Sequence, residues 1–284
     1  MGRIHVVSDS GSDLPKEIRE KYNISIVPLS IQFGDDVYVD GVDMPTERFY
    51  SELKNGDRLP STCQPSPADF VKLYEEIAEP GDEIISVHLS SKLSGTYQSA
   101  VLASTMVSDI SVTVVDSKLA SIGIGFVALA AAEAVQNGAS KEEALAQAQK
   151  VIDNLGVYFV VDTLDFLRRN GRIGKAQAVV GTLLNIKPIL TLDDGVVAPV
   201  EKVRGKAKAL KKIRESIRQY QEDHGGKKLR IGLTHADCLE EAQRFAELLK
   251  QDIDIHDLYI DYIGPTIGVH VGPGTIALLF HPIE

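Results

Sequence analysis

Four segments of the chain are rich in glycine and hydroxyl side chains, and each lies where a predicted strand ends. They are residues 8–13, 60–67, 89–100 and 264–275. In open α/β sheets, ligands bind beyond the carboxyl ends of strands, where the following helix presents free N–H groups. Hydroxyls, backbone N–H groups and a histidine at such an edge are suited to a carboxylate or another small oxyanion. For residues 8–13, a capped turn from strand to helix is the simpler interpretation.

Residues 89–100 form the segment best suited to an anion. Ser94 and Thr96 supply hydroxyls, Gly95 allows a tight backbone, and a predicted helix begins there. The positive end of that helix dipole favours an oxyanion. A simple helix cap would use the same residues, so both interpretations stay open. The GxxxxGK[ST] loop that binds nucleotide phosphates does not occur in the sequence, so nucleotide binding of that type is unsupported.

Two other segments present polar groups on a restricted backbone. Three prolines in residues 60–67 restrict the chain to an extended path and hold Ser61 and Thr62 still, although a stiff connector without a ligand has the same composition. Four glycines and two prolines in residues 264–275 are costly to order unless the backbone approaches something closely. His270 lies in this predicted loop. It is either a buried structural histidine or a group that donates to a carboxylate or accepts a proton.

The elements that position these segments follow two patterns. Over residues 1–155, short β-branched runs alternate with helical patterns, which predicts an N-terminal, mostly parallel sheet flanked by helices. Over residues 156–284, Asp193-Asp194-Gly195 separates two apolar runs and predicts an antiparallel hairpin in a mixed sheet. The length of 284 residues suits two domains of about 150 residues each. We therefore predict an α/β protein with domains 1–155 and 156–284.

Composition excludes several classes of protein. A net charge of −10 argues against nucleic acid or an anionic membrane surface as the main partner. Cys63 and Cys238 form no CxxC pair, and the seven histidines lack metal-ligand spacing, so we expect no metal site and a reducing compartment. The first residues lack the apolar stretch of a signal peptide, and no run is long enough to cross a bilayer. These features predict a soluble, cytoplasmic protein.

Basic residues are concentrated in two places. Residues 168–175 contain four cationic side chains, and residues 201–218 contain eight basic and two acidic side chains. A solvated helix face is the ordinary interpretation of such a run. Docking to an acidic partner is the alternative.

Taken together, these segments resemble the DegV family. The resemblance depends on seven motifs that occur in order over nearly the whole chain: residues 8–14, 60–67 and 89–100, Asp116-Ser117 with Ser121-x-Gly123-x-Gly125, residues 167–174, Ile186-Lys187-Pro188-Ile189, and residues 264–275. Each motif alone is weak, but seven in sequence are specific. Cys63 stands where the family often has serine.

The resemblance implies a two-domain α/β protein with a ligand cleft between the domains. It implies a long-chain fatty acid whose acyl chain lies in an apolar tunnel and whose carboxylate lies at the domain junction. DegV proteins act as the fatty acid-binding subunit of a bacterial fatty acid kinase, in which a separate ATP-dependent subunit phosphorylates the carboxylate for phospholipid synthesis. By this resemblance the chain itself is not an enzyme, has no catalytic residue and needs no cofactor besides the bound fatty acid. The implied carboxylate ligands are Thr62, Ser94, Gly95 and His270, with Ser61, Arg172 and Arg204 as possible secondary contacts.

Two other functions remain alternatives at this point. The fold is also similar to the substrate half of dihydroxyacetone kinases, which would make the protein a subunit of a small-molecule kinase or transferase that captures a small ketone through His270. An interaction module with a vestigial cleft is the third hypothesis. Fatty acid binding is favoured because each buried methylene contributes ~0.8 kcal/mol, so a long tail supplies affinity without any reaction.

Overall fold

The computed structural model describes residues 2–55, 59–181 and 186–283. The chain divides into two compact units. The first consists of Met1–Pro45, Pro60–Asp153 and Gly264–Thr266, and the second of Thr46–Leu59, Asn154–Ile263 and Ile267–Glu284. Residues 46–59 belong to the second unit although they lie in the N-terminal half of the chain, and residues 264–266 belong to the first unit although they lie in the C-terminal half. The sequence does not indicate this exchange. The division into domains at residue 155 stays a prediction.

Helices and strands alternate along most of the chain. Up to residue 154 they are β1 (Ile4–Asp9), α1 (Lys16–Lys21), β2 (Ile24–Val27), β3 (Ser30–Phe33), β4 (Asp36–Val39), α2 (Thr46–Asn55), β5 (Ser61–Cys63), α3 (Pro67–Ile77), β6 (Glu83–His88), α4 (Thr96–Ser104), β7 (Ser111–Asp116), α5 (Ile122–Gln136) and α6 (Lys141–Asn154). Thereafter they are β8 (Gly156–Val160), α7 (Asp165–Arg169), β9 (Ile186–Asp193), β10 (Val196–Arg204), α8 (Lys206–Asp223), β11 (Leu229–His235), α9 (Leu239–Asp252), β12 (Ile255–Tyr262), α10 (Pro265–Val271) and β13 (Ile276–Pro282). Short 3-10 helices lie at Ser10–Ser12 and Gly174–Val179.

The first unit contains a parallel sheet of four strands in the order β2-β1-β6-β7. The predicted parallel sheet is therefore confirmed. Helices α3 and α4 pack on it around buried Phe70 and Tyr74, which belong to a core cluster with Val7, Ile84 and Ala100. A separate three-stranded antiparallel sheet has the order β4-β3-β5.

The second unit contains a mixed sheet of six strands in the order β10-β9-β8-β13-β11-β12. Among the strand pairs that the described residues form in this sheet, only the pair of β11 and β12 is parallel. The predicted hairpin is confirmed, because β9 and β10 pair antiparallel across a two-residue turn. Asp194 and Gly195 have φ angles of 47° and 76° there, the left-handed conformation that such a tight hairpin turn requires. Helices α8 and α9 cover the sheet around buried residues such as Ile213, Ile231 and Phe245.

Three local predictions are wrong. The apolar pattern of residues 24–33 predicts one strand, but β2 ends before Pro28, which has no N–H for a sheet, and β3 joins the separate three-stranded sheet. Asp13 is predicted to cap a helix, but α1 starts after Pro15, and the Asp13 carboxylate instead accepts hydrogen bonds from Ser121 Oγ (2.5 Å) and the Gly264 N–H (3.0 Å).

The third wrong prediction concerns the segment with His270. Its composition predicts a loop, but Pro265–Val271 is the helix α10, and Pro265 fits its first position because that residue needs no N–H partner. Gly268 inside α10 is explained by close packing. A Cβ there would lie 2.7 Å from the Tyr50 hydroxyl and 2.8 Å from the Phe49 ring.

Candidate functional site

A chain of buried polar side chains underlies the carboxyl edge of the parallel sheet in the first unit. At the end of β1, Asp9 Oδ2 accepts the Leu89 N–H at 3.0 Å and lies 3.0 Å from His88 Nδ1. His88 Nε2 lies 2.6 Å from Ser86 Oγ, which lies 2.8 Å from the Tyr74 hydroxyl. Asp9 and His88 are fully buried, so this network fixes the point at which the chain leaves β6. Sequence analysis missed it, although polar residues inside two apolar strands were the available signal.

Two of the serine hydroxyls in the turn after β6 make hydrogen bonds within the protein. Ser91 donates through Oγ to Asp116 Oδ2 (2.5 Å) and through its N–H to Oδ1 (3.1 Å), which ties the turn to the end of β7. Ser94 Oγ accepts the Thr96 N–H at 3.3 Å and lies 2.9 Å from Thr96 Oγ1. Ser94 therefore helps to cap α4, whose N-cap residue is Gly95. Its contact with a ligand stays a prediction.

The segment of Thr62 packs against the start of α4. A Cβ on Gly95 would lie 2.7 Å from Gln64 Cδ, so the Gln64 side chain covers the glycine directly. Thr62 is half-buried on β5, opposite Ile31 of β3, whereas Ser61 is exposed. Because neighbouring residues of a strand point to opposite faces, Ser61 points away from the face of Thr62. The structure thus brings two of the predicted segments together within the first unit.

In the second unit, Arg172 lies close enough to His270 for its charge to act on the imidazole. Burial and the positive charge of the Arg172 guanidinium lower the pKa of His270 to about 4, so the imidazole is neutral at pH 7. A neutral imidazole has one N–H and can donate one hydrogen bond. Arg204 is exposed at the last position of β10, and its role stays a prediction.

Packing against other parts of the protein explains the glycines that follow α10. From the sequence alone, this explanation could not be distinguished from ligand binding. Gly272 has a φ of 73°, and a Cβ there would lie 2.7 Å from Phe166 Cγ. Thr275 Oγ1 donates to the carbonyls of Val271 and Gly272 at 3.0 Å each. Lys206 Nζ donates to the Gly274 carbonyl at 2.5 Å. The backbone here approaches protein side chains closely, which requires glycine whether or not a ligand binds.

Several basic side chains of residues 201–218 form ion pairs with acidic side chains of this same protein. The ion pairs are Lys212–Glu201 (2.6 Å), Lys211–Glu215 (3.9 Å), Arg214–Asp252 (3.1 Å) and Arg218–Glu222 (3.8 Å). Because acidic neighbours offset these cations, the run carries a weaker field than its sequence suggests. The solvated helix face explains α8, and docking through it stays a prediction.

Other classes of site are not found in the part of the chain that the structure describes. Within residues 2–55, 59–181 and 186–283, no group of three His, Cys, Asp or Glu side chains could hold a metal ion. Over the same ranges, no helix has the length and apolar character needed to cross a membrane. Both cysteines are free thiols, and burial raises the pKa of Cys238 to about 11.

Comparison with known proteins decides the family. The family model described as "Uncharacterised protein, DegV family" matches residues 3–282. Protein DegV of Bacillus subtilis is 38% identical over 276 residues, which cover 97% of this chain and 98% of that protein. This chain belongs to the DegV family.

Solved structures of DegV proteins have the same fold over the full length. The crystal structure of DegV from Bacillus subtilis, described as a fatty acid binding protein, is 37% identical, has a TM-score of 0.90 and covers 100% of both chains. A DegV family protein from Thermus thermophilus, described by its fatty acid binding, is 36% identical, also has a TM-score of 0.90, and covers 99% of this chain and 100% of its own. The predicted family and α/β fold are confirmed.

Proposed function

We propose that this chain binds a long-chain fatty acid, with the acyl chain in an apolar tunnel and the carboxylate held by Thr62, Ser94, Gly95 and His270. One observation carries the proposal. Two DegV proteins that are described as binding fatty acids match this chain over its full length at 36–37% identity and a TM-score of 0.90. Ser61, Arg172 and Arg204 are the secondary contacts in this proposal.

The predicted head-group residues have suitable chemistry for a carboxylate. Burying an ionised carboxylate without partners costs several kcal/mol, so it needs donors in fixed positions. Ser94 and Gly95 lie at the start of the nine-residue helix α4, where the helix dipole is positive. The imidazole of His270 is neutral at pH 7 and can donate without losing a proton to the ligand.

We propose that the chemistry takes place on a separate ATP-dependent kinase subunit, which phosphorylates the carboxylate that this chain presents in the cytoplasm. The sequence supports this division of labour because it lacks the GxxxxGK[ST] loop of many ATP-binding proteins. On its own, the protein is expected to bind without turnover and to need no cofactor besides the fatty acid.

The first experiment asks whether a fatty acid is bound at all. Purified protein is extracted with organic solvent, the extract is analysed by mass spectrometry, and delipidated protein is titrated with saturated fatty acids of increasing length. Each methylene that the tunnel buries contributes ~0.8 kcal/mol, so two additional methylenes should tighten binding about 15-fold until the tunnel is full. No extracted acyl ligand, together with an affinity independent of chain length, would refute the proposal.

The second experiment assigns the head-group residues. We expect Ser94→Ala and Thr62→Val each to weaken binding of the acid about tenfold, the loss of one hydrogen bond to a charged group. Ser104→Ala is the matched control, because Ser104 lies at the opposite end of α4 and its hydroxyl donates to the Val101 carbonyl. Equal affinities for Ser94→Ala and Ser104→Ala would remove Ser94 from the site. Activity with a small ketone in place of a fatty acid would instead support the dihydroxyacetone kinase hypothesis.

A further inference from the structure

Asn170 contacts the chain on both sides of the Arg172–His270 pair. Its side-chain Nδ2 donates to the Val269 carbonyl at 2.9 Å, next to His270, and to the Phe166 carbonyl at 3.3 Å. Its own backbone carbonyl accepts a hydrogen bond from Arg172 Nη1 at 2.8 Å. One asparagine therefore contacts the helix of the histidine and the side chain of the arginine.

The contact with Val269 replaces a hydrogen bond that the helix cannot make. In an α-helix, the Val269 carbonyl would accept the N–H of the residue four positions later. That residue is Pro273, which has no N–H. The Asn170 amide supplies a donor at this carbonyl, immediately before His270. The last turn of α10 is thereby fixed from outside the helix.

The backbone around Asn170 fixes Arg172 as well. At the end of α7, the Gly171 N–H donates to the Arg168 carbonyl (3.1 Å) and the Arg172 N–H donates to the Leu167 carbonyl (2.8 Å). Gly171 has a φ of 69°. These are the two hydrogen bonds and the left-handed residue of a Schellman motif, which closes a helix in one defined conformation. The direction in which the chain leaves α7 toward Arg172 is therefore set.

We propose that Asn170 is a positioning residue for an anionic head group: its side-chain amide holds the turn of α10 that carries His270, and its backbone carbonyl holds the Arg172 guanidinium. This inference rests on the proposed function for its ligand, whereas its geometry stands on the contacts above. Aspartate at this position would have no N–H for the Val269 carbonyl. Alanine would leave that carbonyl without a side-chain donor but would add no charge.

The test uses full-length Asn170→Asp and Asn170→Ala, with Gln219→Glu as control. The control makes the same change from amide to acid at an exposed position of α8 in the same unit. His270 resonances are assigned by NMR through their loss in His270→Gln, and affinities are measured for a fatty acid and for its methyl ester. We expect both Asn170 variants to shift the His270 resonances and to weaken acid binding about tenfold, with ester binding unchanged. Asn170→Gln, which retains the amide, should recover part of the loss.

The outcomes separate this inference from the proposed function. Unchanged His270 resonances and an unchanged ratio of acid to ester affinity in both variants would overturn the positioning role. Equal weakening of acid and ester would also overturn it, because a general loss of structure affects both ligands. If wild-type protein binds no fatty acid while the Asn170 variants still move the His270 resonances, the proposed function fails and the positioning role stands. Circular dichroism and thermal melting show that each variant is folded.

Discussion

Acid should destabilise this protein through His270 at a pH where ordinary carboxylates remain ionised. Burial and the Arg172 guanidinium lower the pKa of His270 to about 4 in the folded chain, against ~6.5 for an unperturbed histidine. At a pH below ~6.5, His270 is protonated in the unfolded chain but stays neutral in the folded chain. The stability contributed by neutral His270 is therefore fully present above pH ~6.5 and is lost as the pH falls toward 4.

The size of this effect follows from the shift. One pKa unit corresponds to about 1.4 kcal/mol, so a fall from about pH 7.5 to about pH 5 should remove about 2 kcal/mol from the free energy of unfolding. This value is an upper one, because the His270 side chain is half-buried and solvent screens part of the interaction. Against a total stability of about 5–15 kcal/mol that is typical of proteins, a loss of this size is easily measured.

Urea unfolding of wild type and His270→Gln at the two pH values isolates the contribution of one residue. Glutamine does not titrate, so wild type should lose about 2 kcal/mol more than the variant over this interval. The other ionisable groups contribute equally to both proteins and cancel. An equal loss in the two proteins would mean that the imidazole is protonated near its ordinary pKa, and the argument from burial and Arg172 would be refuted.

His281 provides an internal control for the ligand. Burial and Arg230 lower its pKa to about 4 as well, but it lies on β13 and is not among the predicted head-group residues. A bound carboxylate next to His270 favours its protonated form and raises its pKa, while His281 is unaffected. NMR titration with and without a saturating fatty acid should therefore shift the pKa of His270 upward and leave that of His281 lowered. If both shift or neither does, His270 does not contact the head group.

Three further predictions test individual contacts. Gly95→Ala should displace the Gln64 side chain and cost below about 1 kcal/mol of unfolding free energy, because Gln64 is exposed and flexible. In a double-mutant cycle, Gln64→Ala should remove this cost, and strict additivity of the two changes would contradict the contact. Gly171→Ala should destabilise the protein by about 1 kcal/mol because of its φ of 69°, and Gly171→Asn by less; a neutral alanine would contradict the Schellman motif. Asp9→Ala leaves the buried N–H groups of Gly11 and Leu89 without this acceptor, so urea unfolding should show a loss of about 3 kcal/mol or more in the free energy of unfolding. The control Asp35→Ala, at an exposed turn position, should change that free energy by less than about 0.5 kcal/mol.

Local patterns in the sequence are sufficient to predict much of this fold. The alternation of strands and helices predicts the parallel sheet, and Asp193-Asp194-Gly195 predicts the β9–β10 hairpin. The spacing Ser66-x-x-Asp69 predicts a capping box, and the structure has one at the start of α3, where each of the two side chains accepts the other residue's backbone N–H. These features depend on residues that are near one another in sequence, so the pattern contains the information.

The features that sequence analysis missed depend on contacts between distant residues. Asp13 looks like a helix cap, but its partners Ser121 and Gly264 are far away in the sequence. The glycines of residues 264–275 suggest a loop, yet Gly268 is required inside a helix because α2 supplies an aromatic neighbour. The predicted site shows the same limit. The local composition of residues 89–100 indicates Ser94 and Gly95 as candidates, whereas the contact of Asn170 with Val269 forms only when α7 and α10 are brought together.

The Arg172 charge, which acts together with burial to keep His270 neutral, is also the charge that would attract the ligand. The Arg172 guanidinium donates to the neutral carbonyl of Asn170, and a hydrogen bond to a carbonyl leaves the positive charge in place. That charge opposes protonation of His270 in the free protein. In the function that we propose, an incoming carboxylate offsets the field of Arg172 and makes a positive imidazole less costly. Head-group binding and proton uptake at His270 are then linked, so the affinity for the acid should rise as the pH falls from about 7 to about 5, where a carboxyl with an ordinary pKa of ~4.3 is still mostly ionised, while the affinity for the ester should not.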